Sequence, residues 1–232
     1  MSTYTDFTTR QIHAGQEPDP TTGAIMTPVY LTSTYVQSGP GEHKGFEYSR
    51  TQNPTRNALQ DCLAALEGAK HGLAFASGLA GTDMLMHMLE AGDHVVVSDD
   101  VYGGTFRLFD KVEQAWGLEH SAAPVDDVDA VRAAIRPGTT KLVWLEAPGS
   151  VTMEFGPVAH FAHICRSRGI TTALDNTWGA GLAFCGFELG QGGGADVVVQ
   201  ALTKYPSGGG DVLMGSITTR DDALHVRLKL AH

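Results

Sequence analysis

Four short segments of this 232-residue chain combine residue types that could do chemistry. The most telling is Val197 to Tyr205 (VVVQALTKY), which sets Lys204 at the end of a nearly continuous apolar run. The chain has six lysines, and the other five (Lys44, Lys70, Lys111, Lys141 and Lys229) fall in predicted loops, strand entries or surface helices. A lysine desolvated at a sheet end has a lowered pKa and becomes a nucleophile toward carbonyls; the alternative is a side chain that snorkels to water. Asp175-Asn176-Thr177-Trp178 follows the apolar stretch Ile170 to Leu174, and a carboxylate there needs either a helix to cap or a cation to hold. Tyr102-Gly103-Gly104 offers a ring to lie flat on an aromatic ligand, or else an ordinary half-buried loop tyrosine. Ser77-Gly78-Leu79 opens a helical pattern. Small residues there let an anion reach free backbone N–H groups, although a plain tight turn has the same composition.

The elements that must position these segments are legible from periodicity. Asn53 caps and Pro54 opens a helix whose apolar face is Leu59, Cys62, Leu63 and Leu66, and Gly68 ends it. Leu73 to Ala76, His94 to Ser98 (HVVVS), Lys141 to Glu146 (KLVWLE), Ile170 to Leu174, Val197 to Leu202 and Val212 to Thr218 read as strands. Between them lie helical patterns from Ser77 to Leu89, Thr105 to Gln114, Val125 to Ile135 and Pro157 to Arg168. This alternation predicts an α/β domain, a mostly parallel sheet with helices on both faces. In such sheets ligands bind beyond the carboxyl ends of the strands, where all four segments fall. The first fifty residues, rich in Thr, Gly, Pro and Tyr, have little periodicity and read as an extended arm. Asp221-Asp222 starts a last helix that stops at His232 without a cap and reads as cut.

Composition narrows the function classes. A formal net charge of −10 argues against a nucleic-acid partner, whose phosphates demand clustered Lys and Arg. No stretch approaches the run of about 20 apolar residues that a membrane-spanning helix needs, and Met1 to Gln11 has no signal-peptide pattern. Cys62, Cys165 and Cys185 are widely spaced in apolar company, which suits free thiols and a reducing, cytoplasmic setting. His160 and His163 lie three apart on a helix without a third converging ligand, so no metal site is expected. Met84, Met86 and Met88 read as core filling, and Asp126, Asp127 and Asp129 as a helix start. The Gly190 to Gly194 run precedes a strand and is a loop, and no G-x-G-x-x-G or Walker lysine suggests a dinucleotide or a nucleoside triphosphate.

One cofactor uses all four segments. Pyridoxal 5'-phosphate has an aldehyde for Lys204, a pyridinium nitrogen for Asp175, a ring face for Tyr102 and a phosphate for Gly78 and Leu79. Together with Tyr48-Ser49-Arg50, the motifs Ser77-Gly78, Tyr102-Gly103-Gly104-Thr105, Asp175-Asn176-Thr177 and Thr203-Lys204-Tyr205 run in order through residues 10 to 220. In this the chain resembles the Cys/Met-metabolism (trans-sulfuration) family of pyridoxal-phosphate enzymes.

The resemblance implies fold type I, the aspartate-aminotransferase-like fold, with three parts. Residues 1–52 form an arm reaching a neighbouring subunit's site, 53–220 the cofactor-binding large domain, and 221–232 the start of a helix leading to a C-terminal domain that this chain lacks. It implies that Lys204 bonds the cofactor and later shuttles the substrate α-proton, and that Asp175 keeps the ring nitrogen protonated. Tyr102 stacks on the ring, and Gly78, Leu79 and Thr203 hold the phosphate, joined by Tyr48 and Arg50 from a neighbouring subunit. Glu146 to Glu154 (EAPGSVTME) and Trp178 are similar to the carbon–sulfur β-lyase branch, whereas γ-acting members usually have Asn-Pro at Ser150-Val151. The implied reaction is α,β-elimination of cystathionine to homocysteine, pyruvate and ammonia in methionine biosynthesis, by a dimer of dimers.

The open alternatives are a γ-synthase or γ-lyase, a general cysteine-conjugate β-lyase, and a non-catalytic cofactor-binding fragment. The chain departs from the family pattern at Leu79 (usually Met), at Ala201 (often Ser) and at Gly209-Gly210 (often His-Ser). It also stops before the arginine that binds the substrate α-carboxylate; Arg227 lies too early to match it. A fragment of a longer enzyme, or half of a nicked one with a separate C-terminal piece, is therefore expected.

Overall fold

A computed structural model describes residues 6–190 and 193–232; Met1 to Thr5 and, within the predicted Gly190–Gly194 loop, Gln191 and Gly192 lie outside the described residues. The chain divides into two compact units, Met1–Leu66 and Glu67–His232. The first holds the helix α1 (Phe7–His13), a two-stranded hairpin of β1 (Gln37–Gly39) and β2 (Glu42–His43), and most of α2 (Pro54–Glu67). Asp6 caps α1 by accepting from Thr9 N–H, and Asn53 accepts from Thr55 N–H to start α2. Gly68, at a φ of +71°, ends α2 where other residues would be strained.

The second unit is built on a seven-stranded sheet. Its strands are β3 (His71–Phe75), β4 (His94–Ser98), β5 (Glu119–Ala123), β6 (Thr140–Glu146), β7 (Thr171–Asp175), β8 (Val197–Ala201) and β9 (Gly215–Thr219). The spatial order is β3-β9-β8-β7-β6-β4-β5. Only β9 is antiparallel to its neighbours. Helices α3 (Gly78–Met86), α4 (Gly103–Arg107), α5 (Val128–Ala134), α6 (Val158–Arg166) and α7 (Asp222–Ala231) complete the unit.

Period-two alternation splits the strands between two cores. Val95, Val97, Leu142 and Trp144 point to the face covered by α3 and α7 through Leu85, Met86, Leu224 and Leu228. Val96, Val143, Leu145 and Leu174 point to the face covered by α5 and α6 through Val131, Phe161 and Cys165. Each such side chain contributes about 1.5–3 kcal/mol on full burial. Runs apolar at every position are what a strand covered on both faces requires. Met86 is buried, and Met84 and Met88 pack against the first core as expected.

Three local expectations change. The Thr105–Gln114 helix is three pieces: α4, a π-helical turn over Leu108–Glu113, and a 3-10 turn over Gln114–Trp116. Helix α3 ends at Met86 instead of Leu89. Strand β5 was not predicted, because Glu-His-Ser-Ala-Ala carries no β-branched residue; it pairs only with β4, at the sheet's edge.

Candidate functional site

At the carboxyl ends of β4, β6, β7 and β8, the turns that follow converge on a cavity of about 320 Å³ lined by Gly78, Leu79, Tyr102, Asp175, Thr203 and Lys204. Six of the eight predicted site residues thus meet at one place, although they lie up to 126 positions apart (204 − 78).

Each is placed by its own local physics. The Ser77 side chain caps α3 by accepting from Ala80 N–H at 3.0 Å, leaving the N–H groups of Gly78 and Leu79 in the first turn without intrahelical partners. A Cβ on Gly78 would lie 2.8 Å from Ala201 Cβ, so only glycine lets α3 start this close to the end of β8. Asp175 is the last residue of β7, in register with Glu146 of β6 and Val199 of β8. One of its oxygens accepts from Thr177 N–H at 3.0 Å. Burial pushes its carboxyl above the ordinary aspartate range, with the Thr177 hydrogen bonds pulling the other way. No described Lys, Arg or His pairs with it. Tyr102 precedes α4, and its ring occupies the space a Cβ on Gly104 would need.

Lys204 departs from expectation. Strand β8 ends at Ala201, and Lys204 sits three residues on, at the start of a 3-10 turn over Tyr205–Ser207. It is exposed, so the desolvation expected from the apolar run is absent. It still lines the cavity, and a second one of about 650 Å³ that Lys204, Thr203 and Glu146 share with Ser150, Met153 and Trp178. Tyr48 and Arg50 belong to the first unit, where the Arg50 guanidinium lies 5.1 Å from the centre of the Tyr48 ring.

Sequence reasoning missed two charged lining groups. Arg107 adds a guanidinium to the smaller cavity. Glu146 lines both cavities; one oxygen accepts from Tyr102 N–H at 2.7 Å and the other from the Ser150 hydroxyl. Burial first, then the neighbouring Asp175 carboxylate, pushes Glu146 up to about 7. In sequence it is simply the last residue of an apolar strand; a carboxylate ending such a run was its only signal.

Pyridoxal phosphate fits what is present. The Gly78 turn offers unpaired N–H groups to a phosphate, and Asp175 is a buried carboxyl lacking the positive partner that a protonated ring nitrogen would supply. Fold and site together define a fold type I, aminotransferase-like cofactor domain.

Comparison with known proteins agrees. The model of the Cys/Met metabolism PLP-dependent enzyme family matches residues 8–232, and the chain belongs to that family. It is 51% identical over 223 residues to a probable cystathionine gamma-synthase of Herpetosiphon aurantiacus, covering 96% of this chain and 68% of that protein. It is 45% identical over 215 residues to the cystathionine beta-lyase of Coxiella burnetii, covering 92% and 54%. The crystal structure of a Lactobacillus plantarum cystathionine gamma-lyase complexed with L-serine superposes with a TM-score of 0.89 at 36% identity, covering 98% of this chain and 58% of that one. The chain thus spans 54% to 68% of these relatives' lengths.

Proposed function

We propose that the chain is the cofactor-binding part of a carbon–sulfur lyase that acts on a thioether amino acid by α,β-elimination, with cystathionine yielding homocysteine, pyruvate and ammonia. The observation that carries this reading is the convergence of Lys204, Asp175, Tyr102, Thr203 and the Gly78–Leu79 turn on one cavity. Pyridoxal phosphate, when bound, supplies an electron sink for the carbanion left by loss of the α-proton.

The chain's own groups do the rest. Lys204 Nζ would hold the cofactor through its aldehyde and would move the substrate α-proton. The Asp175 carboxylate would keep a proton on the ring nitrogen. The Tyr102 ring would hold the cofactor ring, and Gly78 N–H, Leu79 N–H and the Thr203 hydroxyl would hold its phosphate. Arg107 presents a planar two-pronged donor to an anionic substrate group.

A homo-oligomer in which Tyr48 and Arg50 reach a neighbouring subunit's phosphate completes the proposal. It is supported by the first unit's exposed apolar side chains, with Leu31 93% and Val36 91% accessible. A cytoplasmic, methionine-forming role suits the free thiols and the reaction.

The β-lyase choice rests on the Glu146–Glu154 segment, with Ser150-Val151 where γ-acting members usually carry Asn-Pro, and on Trp178. The rival γ reading draws on the probable cystathionine gamma-synthase that shares 51% identity. Product analysis separates them. The purified, cofactor-loaded protein is incubated with L-cystathionine, and the keto acid is identified. Pyruvate is expected; 2-oxobutyrate would overturn the choice in favour of γ-elimination. Cofactor uptake with no keto acid would leave a cofactor-binding fragment.

A further inference from the structure

The loops after β4 and β6 carry the Tyr102 side of the smaller cavity and the Ser150–Met153 wall of the larger one. Neither loop contains regular pairing with the other, yet each sends a buried carboxylate across to the other's backbone. From the β6 side, Glu146 takes Tyr102 N–H at 2.7 Å and the Ser150 hydroxyl. From the β4 side, Asp100 takes Val151 N–H at 3.0 Å, Thr152 N–H at 2.9 Å and the Thr152 hydroxyl at 2.7 Å. The Asp100 backbone carbonyl also accepts from Ser150 N–H at 3.0 Å. Both acids are buried, at 7% and 8% exposure. Gly149 lies flat against Asp100, and any Cβ there would collide with the Asp100 carboxylate.

We propose that Glu146 and Asp100 are positioning residues that form a crossed clasp, Glu146 fixing Tyr102 against the cofactor ring and Asp100 fixing the Val151–Thr152 segment that joins Ser150 and Met153 in the wall of the larger cavity. The cofactor half of this rests on the function proposed above. The physical warrant is directional. A carboxylate accepting backbone N–H groups makes charge-assisted bonds roughly twice as strong as neutral ones, and it orients the peptide unit as well as attracting it. Tyr102 is half exposed and its side chain forms no cap, so its backbone is the part of it that is anchored. Without Glu146, the start of α4 is free to turn the ring away from the cavity. Without Asp100, the 150–152 segment loses three hydrogen bonds at once while Tyr102 keeps its own. The two acids thus hold different backbone segments, Glu146 the Tyr102 amide and Asp100 the Val151 and Thr152 amides, with the Ser150 side chain as the one further contact of Glu146.

Amide hydrogen exchange on the cofactor-free protein tests the clasp independently of any cofactor chemistry. In Glu146→Ala the Tyr102 amide is expected to exchange at least about tenfold faster, with Val151 and Thr152 little changed. In Asp100→Ala the pattern reverses. Glu146→Gln keeps an acceptor at the same reach and restores protection at Tyr102, whereas the shorter Glu146→Asp does not. Equal loosening of both loops by either alanine variant would overturn the crossed assignment. If an alanine variant fails to fold, Glu146→Gln against Glu146→Asp decides the Glu146 half, and Asp100→Asn against wild type decides the other.

A double-mutant cycle then reads the cofactor half. Glu146→Ala should weaken pyridoxal-phosphate retention about tenfold in the wild-type background and less than about threefold in Tyr102→Ala. The same loss in both backgrounds would show that Glu146 does not act through Tyr102. A wild-type protein that protects Tyr102 N–H yet takes up no cofactor would sink the functional reading while leaving the clasp standing.

Discussion

The parallel strands of the sheet carry inward-facing polar groups at both ends, and the two ends treat them differently. At the amino end, His94 of β4 is 0% exposed, and its ring nitrogens meet the Thr140 hydroxyl at 2.8 Å and the Ser121 hydroxyl at 2.9 Å. Hydroxyls can donate or accept, so a neutral imidazole there is fully satisfied. Burial pushes its pKa down, with Arg136 reinforcing and Glu119 opposing. At the carboxyl end, Asp175 and Glu146 stand side by side on β7 and β6, and both are pushed up by burial. One end is solved with the chain's own atoms. At the other, no described Lys, Arg or His forms an ion pair with Asp175 or Glu146, the condition expected of a ligand site.

The contrast predicts opposite effects from removing each group. Asp175→Ala should reduce pyridoxal-phosphate retention about 10²- to 10³-fold, because one partner of a buried charge pair is gone. It should leave the melting temperature of the cofactor-free protein unchanged or higher, since an unpaired buried carboxyl has been removed. Equilibrium dialysis and calorimetry check the two halves. A marked fall in cofactor-free stability would erase the distinction between the ends.

His94→Leu should do the reverse. It takes the ring partner from the buried Thr140 hydroxyl, which keeps Arg136 N–H, and from the half-buried Ser121 hydroxyl, and costs about 1–2 kcal/mol of stability without altering cofactor retention. The pH dependence has a definite sign. A histidine held neutral binds fewer protons folded than unfolded, so its contribution is complete above the ordinary value of 6.5 and is lost as pH falls below it. Wild type should therefore lose more stability than His94→Leu between pH 7 and 5, by urea titration at each pH. An unchanged difference across that range would mean His94 is not held neutral.

How much of this was visible in the sequence follows from range. Strands β4 and β6 announce themselves because both faces of a central strand are covered and their middle positions, Val95 to Val97 and Leu142 to Leu145, are all apolar. Strand β5 is silent because it pairs on one side only and carries no β-branched or large apolar residue. Lys204 stood out by scarcity and by its place after an apolar run. Its exposure did not, because Leu202 and Thr203, which separate it from β8, carry the side chain out of the sheet. Glu146 escaped because its meaning lies in partners 44 residues away at Tyr102 and 29 away at Asp175, which only the folded register brings together.

The most direct test of the central claim is borohydride reduction of the cofactor-supplied protein, followed by intact mass and peptide mapping. Reduction makes a lysine–cofactor bond permanent. The account predicts one reduced pyridoxal-phosphate increment per chain, mapped to the peptide containing Lys204 and lost in Lys204→Ala. An adduct on another lysine, or none in a folded sample, would contradict it.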